Sequence, residues 1–138
     1  MTITSQIEKY LENTFKDSNF VIRHFRAEAV GAQPVIEDIA DKIQRAPLGV
    51  FDITGLNGNV LLELGMMMLE DREKVMIIRK KDDEGDLPFN VTPVNINYYQ
   101  IVGTEEVKMV DPATGNLEDF GPIIETFVNN LRRSKRIA

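Results

Sequence analysis

The run FDITGLNGNVLLELG, Phe51 to Gly65, gathers Asp52, Asn57, Asn59 and Glu63 around one polar turn. An apolar approach ends in Asp52. A turn holding Gly55, Asn57, Gly58 and Asn59 follows. A helical apolar pattern then opens and carries a single acid, Glu63, among Leu61, Leu62, Leu64 and Met66 to Met68. Asn59 and Glu63 are four residues apart and share a helix face. Gly55 and Gly58 permit close backbone approach. A carboxylate in such a place can stabilise positive charge on a sugar or attack it. That is the chemistry of N-glycosidic cleavage, which passes through an oxocarbenium-like state. The structural alternative makes Glu63 an acid paired with Arg26, Arg79 or a backbone donor. Asp52 suits either the ribose hydroxyls of a ligand or the capping of its own loop, and Asn57 suits a helix cap or a bound hydroxyl. The glycines form no phosphate-binding fingerprint, and no lysine-bearing phosphate loop is present.

These residues need a scaffold, and the pattern supplies one. A helix is predicted from Ser5 to Phe15, with Thr4 as its cap and Ile7, Tyr10, Leu11 and Phe15 as its stripe. Phe20 to Phe25 reads as a short strand. Pro34 opens a helix whose buried stripe is Val35, Ile36, Ile39, Ala40 and Ile43, and Pro47 ends it. Leu48 to Ile53 is the strand before the polar turn, and the helix after the turn ends near Glu70. Lys74 to Ile78 and Asn95 to Val102 are further strands. Asp111-Pro112 and Gly115-Asn116 are turn signals. Ile123, Ile124, Phe127, Val128 and Leu131 mark a last helix.

Alternating strands and helices predict an α/β fold: a three-layer parallel sheet with helices on both faces. Ligands of open parallel sheets bind beyond the carboxyl ends of the strands. Asp52 and its loop fall there, and Arg26, Glu28 and Arg79 follow strands on the same side. Leu87-Pro88-Phe89 is an apolar insertion in a polar loop, either a plug over the core or part of a lid from which Phe89 could stack on a base. Tyr98 and Tyr99 point to opposite faces of their strand.

The length of 138 residues suits one domain, residues 1–138, ending in a basic tail over 132–138. Charge is −6, which argues against a nucleic-acid surface. No stretch reaches the length of a membrane span. With no cysteine and one histidine, His24, neither thiolate chemistry nor a metal site is expected, and the expected compartment is the cytoplasm.

The Phe51–Gly65 run resembles the signature of bacterial nucleotide-binding, TIR-like domains, which are related in fold to nucleoside 2-deoxyribosyltransferases. Their pattern of an acid after a strand, Asn-Pro-Asn-Val, an apolar pair and Glu-Leu-Gly is matched by Asp52, Asn57-Gly58-Asn59-Val60, Leu61-Leu62 and Glu63-Leu64-Gly65. Gly58 stands in place of the proline. Arg26-Ala27-Glu28, the helix Ile36 to Ala46 and Leu87-Pro88-Phe89-Asn90 extend the similarity over about residues 20 to 100. The resemblance implies a flavodoxin-like, TIR-like sheet and a catalytic role for Glu63. It implies hydrolysis of an N-glycosidic bond in NAD or a related nucleotide, the nucleotide being substrate and not cofactor. Deoxyribosyl transfer and a non-catalytic nucleotide-binding or assembly module are the alternatives. Asp52, Asn57, Asn59, Gly55, Arg26, Glu28 and Phe89 are the implied substrate-binding residues. Relatives of this kind begin with a strand, whereas this chain starts almost directly in the helix. By the resemblance, that strand is either missing or supplied by another chain, and a homodimer or higher self-assembly is expected.

Overall fold

The computed structural model describes residues 3–14, 36–87, 96–104 and 106–134. In chain order these form α1 (Ile3–Thr14), α2 (Ile36–Arg45), β1 (Gly49–Asp52), α3 (Gly58–Glu70), a 3-10 turn (Arg72–Lys74) and β2 (Val75–Lys80). There follow β3 (Ile96–Val102), β4 (Glu106–Val110), β5 (Leu117–Asp119) and α4 (Phe120–Arg133). The predicted strand Phe20–Phe25 and the residues Arg26, Glu28 and Phe89 lie outside the described residues.

The five strands form one sheet in the order β1-β2-β3-β4-β5. β1, β2 and β3 run parallel, while β3–β4 and β4–β5 pair antiparallel. The expectation of a parallel sheet is therefore corrected to a mixed one. The reason is the length of the connections. A parallel return needs a crossover of a dozen or more residues, which the path from β1 through α3 to β2 provides. Only residues 103–105 separate β3 from β4, and only 111–116 separate β4 from β5. Links that short join antiparallel neighbours. At the second of them, Asp111 N–H donates to the Asn116 carbonyl at 2.8 Å, and Gly115 N–H to the Asp111 carbonyl at 2.8 Å.

Helices lie on both faces, as the strand alternation requires. On one face Met76, Ile78, Tyr99, Val107 and Met109 pack with Ile3 and Ile7 of α1 and Ile124 and Val128 of α4. On the other, Ile53 and Ile77 pack with Leu64 of α3, and Met67 of α3 packs with Ile43 of α2. α1 begins at Ile3, so Thr4 lies inside the helix and not at its cap. Buried Ile3 and Ile7, one turn apart, anchor that extra turn. Across α1 and α4, Tyr10 stacks edge-on against Phe120 with centroids 5.6 Å apart, and its hydroxyl donates to Glu125 Oε1 at 2.5 Å. This close approach needs Gly121, where a Cβ would fall 2.9 Å from the Tyr10 ring. Arg132 and Arg133 occupy the last turn of α4, where the helix dipole favours cations. Among the described residues no helix is long and apolar enough to cross a membrane.

Candidate functional site

β1 delivers Asp52 to the end of the parallel half of the sheet, and a tight turn carries the chain into α3. Asp52 Oδ1 accepts from the Thr54 N–H at 3.1 Å and the Thr54 hydroxyl at 2.6 Å. Its Oδ2 accepts from the Tyr99 hydroxyl at 2.9 Å. Thr54 Oγ1 in turn accepts from the Lys80 N–H at 2.8 Å and lies 3.2 Å from the Tyr99 oxygen. One carboxylate thus joins the end of β1, the turn and the middle of β3. Burial raises the Tyr99 phenol most, the hydrogen bond with Thr54 pulls against it, and the charge and hydrogen bond of Asp52 add to the rise, which reaches about 12. It remains a donor to Asp52 across the physiological range.

The turn itself uses left-handed backbone at Gly55 (φ 80°) and Leu56 (φ 53°). Glycine adopts that conformation freely, whereas at Leu56 the neighbouring contacts must hold it. The Leu56 N–H donates to the Ile53 carbonyl at 2.9 Å, and the side chain lies against Gly85. Asn57 is the N-cap of α3: its Oδ1 accepts from Asn59 N–H at 2.9 Å and Val60 N–H at 3.5 Å. Asn59 stands exposed on the first turn of the helix.

Arg79, whose sequence position suits either an ion pair or a ligand contact, is buried and serves the loop after β2. Its Nε donates to Asp83 Oδ2 at 2.8 Å, and its Nη2 donates to the Gly85 carbonyl. The same Asp83 oxygen accepts from the Gly55 N–H at 3.2 Å, clasping the two loops together. The hydrogen bond from Arg79, then that from Gly55, hold the Asp83 carboxyl below its usual value. A carboxylate with a depressed folded-state pKa contributes stability above its ordinary pKa and loses it as pH falls through the lowered one. The clasp is therefore expected to hold at pH 5 and to release only below the ordinary aspartate value near 3.8. In Asp83→Asn the amide of Gly55 should exchange with deuterium faster than in wild type at pH 7. Equal exchange rates would remove the clasp from the account.

Glu63 lies in the second turn of α3, next to sheet-facing Leu64 and one turn before Met67, which packs on Ile43 of α2. It is only 7% exposed. Its Oε1 is buried and has no hydrogen-bond partner among the described residues. Burial drives the carboxyl above its ordinary pKa, and the charge of Lys42 on α2 offsets this in part. A carboxyl buried without full compensation is costly to ionise, so it answers strongly to any positive charge brought beside it.

The predicted residues therefore separate into groups. Asp52, Asn57 and Gly55 belong to one loop, but the acceptors of Asp52 are engaged by Thr54 and by Tyr99 of β3, and that of Asn57 by the first amides of α3. In β1, Val50 packs on the α1/α4 side and Phe51 on the α2/α3 side. By alternation Asp52 goes with Val50, towards Tyr99, while Glu63 sits on the α3 side. Asn59 alone shares the helix face of Glu63. Thr54 and Tyr99, the partners of Asp52, are additions to the expected set. For Thr54 a signal was present, since an acid two residues before a polar donor commonly closes an Asx turn. No group of three His, Cys, Asp or Glu side chains converges among the described residues. No protein family, curated protein or solved structure matches this chain.

Proposed function

We propose that the chain hydrolyses an N-glycosidic bond in NAD or a related nucleotide, with Glu63 as the carboxylate that stabilises or attacks the ribosyl centre. The observation that carries this reading is the buried Oε1 of Glu63, which has no hydrogen-bond partner among the described residues. Departure of a base leaves positive charge at the anomeric carbon. A carboxylate already stripped of water has more to gain from that charge than from the neutral ground state, and such a difference accelerates reaction. Water as acceptor makes the protein a hydrolase; a second base makes it a deoxyribosyltransferase. Asn59, on the same helix face, is the nearest candidate for a ribose hydroxyl. Arg26, Glu28 and Phe89 complete the proposed binding set on the strength of the sequence resemblance, and so does the homodimer.

A second reading has its own support. Asp52 and Asn57 have their acceptor oxygens engaged by Thr54, by Tyr99 of β3 and by the first amides of α3. Acceptors so engaged fit a non-catalytic nucleotide-binding or assembly module.

Incubation of the purified protein with NAD and a nucleoside panel, over a range of protein concentrations, separates the two. Chromatography is expected to show base release that Glu63→Gln lowers by about 100-fold or more. The rate is expected to fall as pH drops through a value above the ordinary glutamate range, because protonation removes the negative charge. Folded protein that releases no base at any concentration would leave the binding-module reading in its place.

A further inference from the structure

A cleft of about 700 Å³ opens at the opposite end of the sheet from the β1–α3 turn. It surrounds the first residues of β2 and β3 and lies between the end of α3, the 3-10 turn and the outer half of α4. It is separate from Glu63 and does not depend on the proposed hydrolysis.

The lining has three parts. Phe127 and Leu131 of α4 form an apolar wall, and Met68 of α3 lies across the end of the sheet from them. Asn97, Thr126 and Ser134 form an uncharged polar rim. The Thr126 hydroxyl donates to the Pro122 carbonyl at 2.9 Å and the Ser134 hydroxyl to the Leu131 carbonyl at 3.0 Å. Both oxygens thus keep lone pairs to offer as acceptors. Asn97 Nδ2 donates to the Ile77 carbonyl at 3.2 Å, and its side-chain carbonyl and second N–H remain for other partners. Among the described lining residues the charged ones, Arg72 and Glu73, are opposite in sign and sum to zero.

We propose that this cleft binds an uncharged heteroaromatic molecule. The volume falls in the usual range of small-molecule sites, about 300–1,000 Å³. An apolar wall with one aromatic ring takes the face of such a molecule by stacking. A rim that offers both donors and acceptors takes its hydrogen-bonding edge. The described lining residues supply no excess charge of either sign to favour a charged ligand.

The test is an amide-resolved NMR titration of the full chain with adenine as probe and benzoate as a charged aromatic control. Adenine is expected to give saturable shifts at the Asn97, Thr126 and Asn130 amides, with benzoate about tenfold weaker or worse. Asn130→Trp fills the cleft from an exposed helix position. It should weaken adenine binding about tenfold while the rest of the spectrum stays native. Phe127→Leu keeps the wall apolar but removes the ring, and should weaken adenine binding in the same direction. Glu63→Gln should leave these shifts unchanged, which keeps this site distinct from the proposed reaction centre. Absence of saturable shifts, equal binding of benzoate, or binding undiminished in both cleft variants would overturn the proposal.

Discussion

Glu63→Leu is expected to stabilise the fold by about 2 kcal/mol at pH 7 while removing base release altogether. The substitution takes away a carboxyl that is 7% exposed and whose Oε1 has no partner among the described residues. It also extends the apolar surface beside Leu64 and Met67, with similar volume, so packing strain is small. The gain has a pH dependence of fixed sign. Burial raises the folded-state pKa of Glu63 above 4.5. Between those two values the folded state holds more protons than the unfolded chain, so wild-type stability falls as pH rises through that window. Above it the full penalty persists. The advantage of Glu63→Leu should therefore be largest at neutral pH and shrink towards pH 4, as chemical denaturation at several pH values can show. A residue whose removal strengthens the fold and abolishes turnover is kept for function. A loss of stability on the same substitution would mean that Glu63 is a structural acid.

The second large effect lies on the other face of the sheet. Asp52→Ala should destabilise the protein by about 3 kcal/mol. It strands the Thr54 N–H and the Tyr99 hydroxyl, both donors to the same carboxylate. Tyr99 is only 4% exposed, so water does not readily replace the lost partner. Tyr99→Phe removes one donor and leaves Asp52 bonded to Thr54, so its cost should be smaller, about 1 kcal/mol. The two losses should be far from additive in the double variant, because the residues share one hydrogen bond. Alkaline unfolding gives an independent view. The Tyr99 phenol is raised from 10.0 to about 12, so its share of the stability is present below pH 10 and lost as pH rises through the higher value. Tyr99→Phe should flatten that limb. An unchanged limb, or additive losses, would contradict the network.

Much of this was legible in the chain, and what was not has a physical explanation. Asn57 as a cap, the strand through Val75–Ile78 and the core role of Met67 follow from local pattern. So does the opposite orientation of Tyr98 and Tyr99, the first 37% exposed and the second buried. The antiparallel half of the sheet was harder. Leu117-Glu118-Asp119 is poor in strand-forming residues and becomes β5 only by pairing with Val110, Met109 and Lys108. The turn signals at 111–116 were readable, but the direction of the strands they join required the strand itself. The tie between Asp52 and Tyr99 spans 47 residues and depends on the register of two ladders, which no local window contains. Arg79 is the instructive case. An arginine at the end of a parallel strand reads equally well as a ligand group or as a loop clasp, and Asp83 four residues later decides for the clasp.

The central claim is that Glu63 is held buried and under-compensated, ready for positive charge. Carbon-13 NMR of the glutamate side-chain carboxyls, with Glu63→Gln used to assign the resonance, measures this without knowledge of the substrate. Glu63 is expected to titrate above the ordinary glutamate value in the free protein and to shift downward when NAD, with its cationic nicotinamide ring, is added. A Glu63 carboxyl that titrates at the ordinary value and does not respond to NAD would contradict it.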